Sequence, residues 1–296
     1  PEEQQITLTD PAGHPATYTY DKVYGPDIDQ EQVYNDAVAP IVEQVCSGLS
    51  CCIFAYGQTG AGKTYTMRGD LSGDPSKHGI IQRSLVHLFN RLNEHDYSNV
   101  EVKSSFLEIY NEELEDLSGS AQRLTLVDHD SRGCVCDGLV EVPVEGLEQV
   151  MNLLEKAEER CKYSETKMNK WSNRAHRIFT LVVSFLRYDK PVTATLTFVD
   201  LAGSEDISKS GATGMTAREA AHINRSLLTL GRVINALACN EKHIPYRDSK
   251  LTRLLSEALG GVCKTSFIAC VSPCSGSTVE SNSTLRYAER AMEALN

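Results

Sequence analysis

Apolar residues recur along this chain with two different periods, and the two periods alternate. Leu85, Leu88, Phe89 and Leu92 fall on one face of a helix, as do Val150, Leu153, Leu154 and Ala157. Ile223, Leu227, Leu230, Ile234 and Leu237 mark a longer helix, and Leu251, Leu254, Leu255 and Ala258 a shorter one. Between them lie compact apolar or alternating runs that read as strands: Cys51–Tyr56, Val100–Glu108, Ile178–Leu186, Thr193–Asp200 and Thr265–Val271. Tyr188-Asp189-Lys190-Pro191 suits a hairpin joining the third and fourth of these. Polar, Gly- and Asp-rich breaks at Gly69–His78, Ser118–Gln122 and Ser204–Thr216 read as surface loops, not domain linkers. Strands interleaved with helices predict a single three-layer α/β domain over residues 1–296. Its central sheet is expected to be mixed and mostly parallel, flanked by helices, with ligand at the carboxyl ends of the strands.

One segment adds chemistry to that outline. Gly57-Gln58-Thr59-Gly60-Ala61-Gly62-Lys63-Thr64 fits G-x-x-x-x-G-K-[ST], directly after the apolar run Cys51–Tyr56. Glycines let such a loop curl so that backbone N–H groups surround a polyphosphate. The lysine places a cation on the outer phosphates, and the threonine hydroxyl is a Mg²⁺ ligand. Gln58, Thr59, Gly60, Ala61, Gly62, Lys63, Thr64 and Tyr65 are therefore the candidate nucleotide-binding residues. A second element follows the strand Thr193–Val199, which runs into Asp200-Leu201-Ala202-Gly203-Ser204-Glu205. A carboxylate at the end of an apolar strand suits support of Mg²⁺ through water, and Gly203 lets a backbone N–H approach a γ-phosphate. A loop that touches the γ-phosphate only while it is present can act as a switch.

Bulk properties narrow the partners. The 296 residues are 41% hydrophobic and 23% charged, with a net charge of −11. That balance argues against a nucleic-acid binder, which needs a basic footprint, but not against an anionic partner met by one local basic face. No apolar run is long enough for a membrane helix, and the N-terminus has no signal-peptide pattern. The ten cysteines form no C-x-x-C pair and read as reduced structural thiols of a cytosolic protein.

With the P-loop and D-L-A-G-S-E, the chain carries Leu107-Glu108-Ile109-Tyr110-Asn111-Glu112, Ile223-Asn224-Arg225-Ser226-Leu227 and His243-Ile244-Pro245-Tyr246-Arg247-Asp248-Ser249-Lys250-Leu251-Thr252. On these motifs it resembles a kinesin motor domain from about Tyr18 to its end. Ser226–Ile234 is most similar to the bipolar mitotic class. The resemblance implies an ATP-dependent microtubule motor head using ATP and Mg²⁺. Thr64 would bind Mg²⁺, with Asp200 supporting it through water, and Tyr65 would pack on adenine. Gly203 would sense the γ-phosphate. Glu205 and Arg174 would form a pocket-closing ion pair, Glu205 helping to accept the proton of the attacking water. It also implies a cytoplasmic, cytoskeletal setting on microtubules and the mitotic spindle. Oligomerisation would come through sequence outside these residues, and neither nucleic acid nor membrane is a partner.

Two departures qualify the resemblance. Where kinesins read N-x-x-S-S-R-S-H, this chain has Asn169-Lys170-Trp171-Ser172-Asn173-Arg174-Ala175-His176. Ser172 is kept; Asn173 and Ala175 replace serines. Asn173 is larger than the serine that organises Mg²⁺ or the lytic water, so retained nucleotide binding with slowed hydrolysis is the expectation. In the extreme this gives an alternative function, a microtubule-binding module with a weak or silent ATPase. His176 is expected to make a structural hydrogen bond rather than ligate a metal. Second, the family's first core strand, with its R-x-R-P-like motif, would precede Pro1, and a neck linker would follow Asn296. The microtubule-facing cations implied by the resemblance are Lys242, Arg247, Lys250 and Arg253, with Arg218 adding to them.

Overall fold

The computed structural model describes residues 4–9, 13–70, 74–119, 123–129, 133–167, 174–205 and 215–295. A short hairpin of β1 (Gln5–Thr9) and β2 (Pro15–Thr19) opens the chain. Next, α1 (Gln30–Val33) begins at a reciprocal cap between Asp29 and Gln32, then passes through a π-helical turn, Tyr34–Val38, into α2 (Ala39–Cys46). β3 (Cys51–Tyr56) leads into α3 (Lys63–Arg68), and α4 (Ile80–Leu92) follows. β4 (Tyr97–Tyr110) turns back into β5 (Glu113–Asp116) through Asn111 and Glu112. β6 (Thr125–His129) and β7 (Gly133–Asp137) form a separate hairpin, before β8 (Val142–Val144) and α5 (Leu147–Lys167). The long β9 (His176–Arg187) and β10 (Lys190–Asp200) precede α6 (Met215–Ala238), α7 (Lys250–Leu254), β11 (Lys264–Ala269) and α8 (Thr278–Leu295).

Among the described residues seven strands form the central sheet, in the order β11-β3-β10-β9-β4-β5, with β8 on β4. The sheet is mixed, but its parallel part is smaller than the sequence pattern suggests. Only β11–β3 and β3–β10 pair in parallel; β10–β9, β9–β4, β4–β5 and β4–β8 are antiparallel. The reason is local. Tyr188 and Asp189 both take positive φ, 51° and 60°, and so form the tight two-residue turn that joins β9 directly to β10. A parallel neighbour would have needed a crossover of a dozen residues or more.

Every residue of β3 is buried, as expected for a central strand covered on both faces. On one face Ile53, Leu181, Leu196 and Phe198 pack with Val42, Leu85, Leu88 and Leu154 from α2, α4 and α5. On the other, Phe54, Val199 and Ile178 pack with Leu230, Ile234, Leu251 and Ala291 from α6, α7 and α8. β3 and β10 thus end side by side, Asp200 opposite Ala55, and both lead straight into the loops that matter.

Candidate nucleotide site

The loop after β3 is anchored from beneath. A Cβ on Gly57, which has φ +145°, would lie 2.1 Å from the Cys270 carbonyl oxygen, so only glycine allows this approach. From the other side the Ser204 N–H donates to the Gly57 carbonyl at 3.1 Å, and the Leu201 N–H to the Ala55 carbonyl at 3.2 Å. The D-L-A-G-S-E segment is therefore fastened along the phosphate-binding loop by main-chain bonds.

Lys63, only 7% exposed, donates from Nζ to the carbonyls of Gly57 and Gln58, both at 2.9 Å. Burial pushes its pKa down, while Asp200 and Glu205 work to raise it. The Thr64 hydroxyl donates to Asp200 Oδ2 at 2.8 Å. Asp200 Oδ1 is buried with no hydrogen-bond partner among the described residues. A carboxylate with one oxygen on a threonine hydroxyl and the other bare fits the support of a hydrated Mg²⁺. Glu205 sits on the loop itself: Oε2 accepts from the Thr59 N–H at 2.8 Å and Oε1 from the Thr59 hydroxyl at 2.5 Å. A Cβ on Gly203 would fall 2.4 Å from both Thr59 Oγ1 and Glu205 Oε2, so any side chain there would push this pair apart.

These groups surround one cavity of about 450 Å³, which falls in the size range of small-molecule sites. Thr59, Gly60, Gly62, Lys63, Thr64, Tyr65, Asp200 and Gly203 line it, and so does Ala175. Two predicted residues act from behind the wall: Gln58 Nε2 donates to Ser277 Oγ at 3.1 Å, and the Ala61 N–H closes a turn on the Gln58 carbonyl. Tyr65 is 53% exposed at the rim, and Gln30 Nε2 donates to its carbonyl at 2.6 Å.

A match to the model of the kinesin motor domain covers residues 1–294. The chain belongs to the kinesin family. Kinesin-like protein KIF11 of Xenopus tropicalis is 45% identical over 95% of this chain, and Klp61F of Drosophila melanogaster 44% over 94%. KIN-5B of Arabidopsis thaliana is 44% identical over 94% of it. The chain spans 28–29% of the length of these relatives. A solved structure of a fast kinesin, described for its ATPase mechanism and microtubule interactions, superposes with a TM-score of 0.94. It is 35% identical and covers all of this chain and 85% of its own.

The remaining predicted residues divide. Ser172 and Asn173 lie outside the described residues. Arg174 is buried, but the expected Arg174–Glu205 pair is not among the ion pairs of the described residues; the Glu205 carboxylate is bound to Thr59. His176 is structural, as expected for this kinesin. Its Nδ1 accepts from the Ala202 N–H at 3.1 Å, so Nε2 carries the proton and donates to Ser226 Oγ at 2.7 Å. Burial, with Lys63 nearby, pushes its pKa down to about 3.

Away from the cavity, Arg247 and Arg253 converge on Asp128 of β6, at 3.2 and 3.1 Å. The Lys250 N–H donates to Glu112 Oε2 at 2.8 Å, and Lys242 is exposed in the loop after α6. Arg218 lies in α6. Sequence reasoning missed Asp128, 119 residues before Arg247. It also missed Arg68 and Glu158, which line the nucleotide cavity and pair at 3.3 Å. Arg68 had a signal: it lies four residues after Thr64, on the same face of a kinesin P-loop helix.

Proposed function

We propose that this chain is an ATP-driven microtubule motor head, coupling Mg-ATP hydrolysis to microtubule binding through two switch loops. What carries the reading is the convergence of Lys63, Thr64, Asp200 and Gly203 on one cavity, with Glu205 held on Thr59 of its wall, in a kinesin motor domain. Lys63 holds the outer phosphates once its two carbonyl bonds are exchanged for them. Thr64 would hold Mg²⁺, with Asp200 supporting it through water, and the ion when bound would supply positive charge at the phosphates. Tyr65 offers its ring to adenine at the rim. The Gly203 N–H senses the γ-phosphate, and Glu205, poised on Thr59, receives the proton of the attacking water. Arg174 closes the pocket on Glu205. Ser172 and Asn173 belong to the segment matching N-x-x-S-S-R-S-H, the first of the two switches, and act on that water, more slowly with Asn173 than with the family's serine.

His176 ties the second switch to α6 by bonding Ala202 and Ser226 together. Gly203 contact is thereby passed to α6 and toward the loop and helix that carry Lys242, Arg247, Lys250 and Arg253, the cations that, with Arg218, would meet the acidic filament. The similarity to the relatives above supports a cytoskeletal setting that includes the mitotic spindle, with oligomerisation carried by sequence beyond this domain. The silent-ATPase alternative stands on the first-switch replacements alone, and the second-switch geometry favours the motor.

The test is steady-state ATP turnover with and without polymerised microtubules. Stimulation well above tenfold, about 1.4 kcal/mol of barrier or more, is expected. Microtubule binding without stimulated turnover would instead mean that Asn173 and Ala175 have silenced the chemistry.

A further inference from the structure

Arg68 occupies a position that phosphate binding alone does not explain. One arm of its guanidinium, Nη1, lies 3.3 Å from Glu158 Oε1 on α5. The other, Nη2, lies 3.9 Å from Asp200 Oδ2, the oxygen that also accepts from Thr64. All three side chains are largely buried: 14% exposed for Arg68, 6% for Glu158 and 11% for Asp200. Arg68 Nε has no hydrogen-bond partner among the described residues, and neither has Asp200 Oδ1. Arg68, Glu158 and Asp200 all line the nucleotide cavity.

A buried carboxylate beside an incoming polyphosphate repels it unless a cation stands between them. Lys63 is one such cation, taken up by the phosphates once nucleotide binds; Arg68, whose guanidinium is permanently charged, stays beside Asp200 at any working pH. Its geometry is telling. Both arms attract through charge without a hydrogen bond, but the arm toward Asp200, at 3.9 Å, is the looser and the arm toward Glu158, at 3.3 Å, the closer. Asp200 thus gains a charge partner while Oδ2 keeps its Thr64 bond and Oδ1 stays bare among the described residues.

We propose that Arg68 is a resident counter-cation for Asp200. It balances the metal end of the cavity while no divalent ion is there, and lets nucleotide enter and stay without one. The proposal rests on the nucleotide reading above and adds a specific electrostatic role. Arg68 and Mg²⁺ share one carboxylate, so each weakens the other's hold on it. By linkage, Arg68 reduces the dependence of nucleotide affinity on Mg²⁺.

The experiment measures affinity for a fluorescent, non-hydrolysable ATP analogue, once with excess Mg²⁺ and once with a chelator. Arg68→Met is expected to lose about tenfold or more in chelator and less than about threefold in Mg²⁺. Arg68→Lys, which keeps the charge, retains most of the chelator affinity. Equal losses in both conditions would overturn the proposal, since they would make Arg68 a structural or direct phosphate-binding residue. Unchanged affinity of Arg68→Met in chelator would overturn it too. Should Arg68→Met fail to fold, Glu158→Gln gives the second test. Released from its anchor, Arg68 leans on Asp200, and the Mg²⁺ concentration that half-restores tight binding rises; no rise would overturn the proposal. A parent protein that binds the analogue in neither condition would refute the nucleotide reading itself, a result distinct from all of these.

Discussion

Single residues in this domain are tuned by burial more than by net charge. His176 is the clearest case. It accepts from one backbone N–H and donates to one hydroxyl, it is buried, and its pKa is depressed from the usual histidine value to about 3. The unfolded chain therefore binds a proton near pH 6.5 that the folded chain refuses until about pH 3. Stability from this residue is complete above the unfolded value and is lost as pH falls between the two. The slope is about 1.4 kcal/mol per pH unit. His176→Asn, whose amide oxygen can replace Nδ1 as acceptor, should remove about 2 kcal/mol of the stability difference between pH 7.5 and 5. Urea unfolding at the two pH values decides it, and parallel losses in parent and variant would show that His176 does not titrate as argued.

At the level of elements, the cation-bearing turn and helix are built against acids from elsewhere. Tyr246–Asp248 forms a 3-10 turn, and α7 is capped by Ser249, whose hydroxyl accepts from the Thr252 N–H. That cap fixes Arg247, Lys250 and Arg253 in one short region, and β6 brings Asp128 under two of them. Exposed pairs of this kind contribute about 0–1 kcal/mol each, so they tune charge rather than hold the fold. Neutralising Arg247 and Lys250 together should weaken microtubule binding about tenfold and flatten its salt dependence, whereas Asp128→Asn should strengthen it. Co-sedimentation across a salt series would show both. Unchanged affinity in the double variant would mean that this surface does not meet the filament.

For the whole molecule, one sheet serves two cores, and the cavity sits where its parallel strands end. Phe198, 1% exposed, stacks on Phe179, which stacks on Phe106, so three adjacent strands are locked by aromatic rings on one face. Phe198→Ala should cost about 3–5 kcal/mol of unfolding free energy. Calorimetry should show one cooperative transition at a lower temperature; a loss confined to one part of the melt would mean that the two layers unfold separately. The overall charge of −11 leaves the basic turn as a local exception, consistent with binding by one face only.

Much of this was legible in the residues themselves. The phosphate-binding loop, the strand-terminal Asp200 and the order of the main strands and helices are short-range properties, set by spacing within a few residues; that His176 is structural came from the motif around it, and its partners Ala202 and Ser226 only from the fold. The β9–β10 hairpin was legible, but the antiparallel pairings of β4 with β9, β5 and β8 were not, because an apolar run does not reveal the direction of its neighbour. The β1–β2 and β6–β7 hairpins escaped for another reason: their burial alternates weakly, with few fully buried positions. Tertiary structure alone decided that Glu205 rests on Thr59, 146 residues away, that Arg68 stands between Glu158 and Asp200, and that Asp128 lies under Arg247. Those pairings depend on strand register and on which helix covers which face. A one-residue shift in a strand would undo them while leaving every local motif intact.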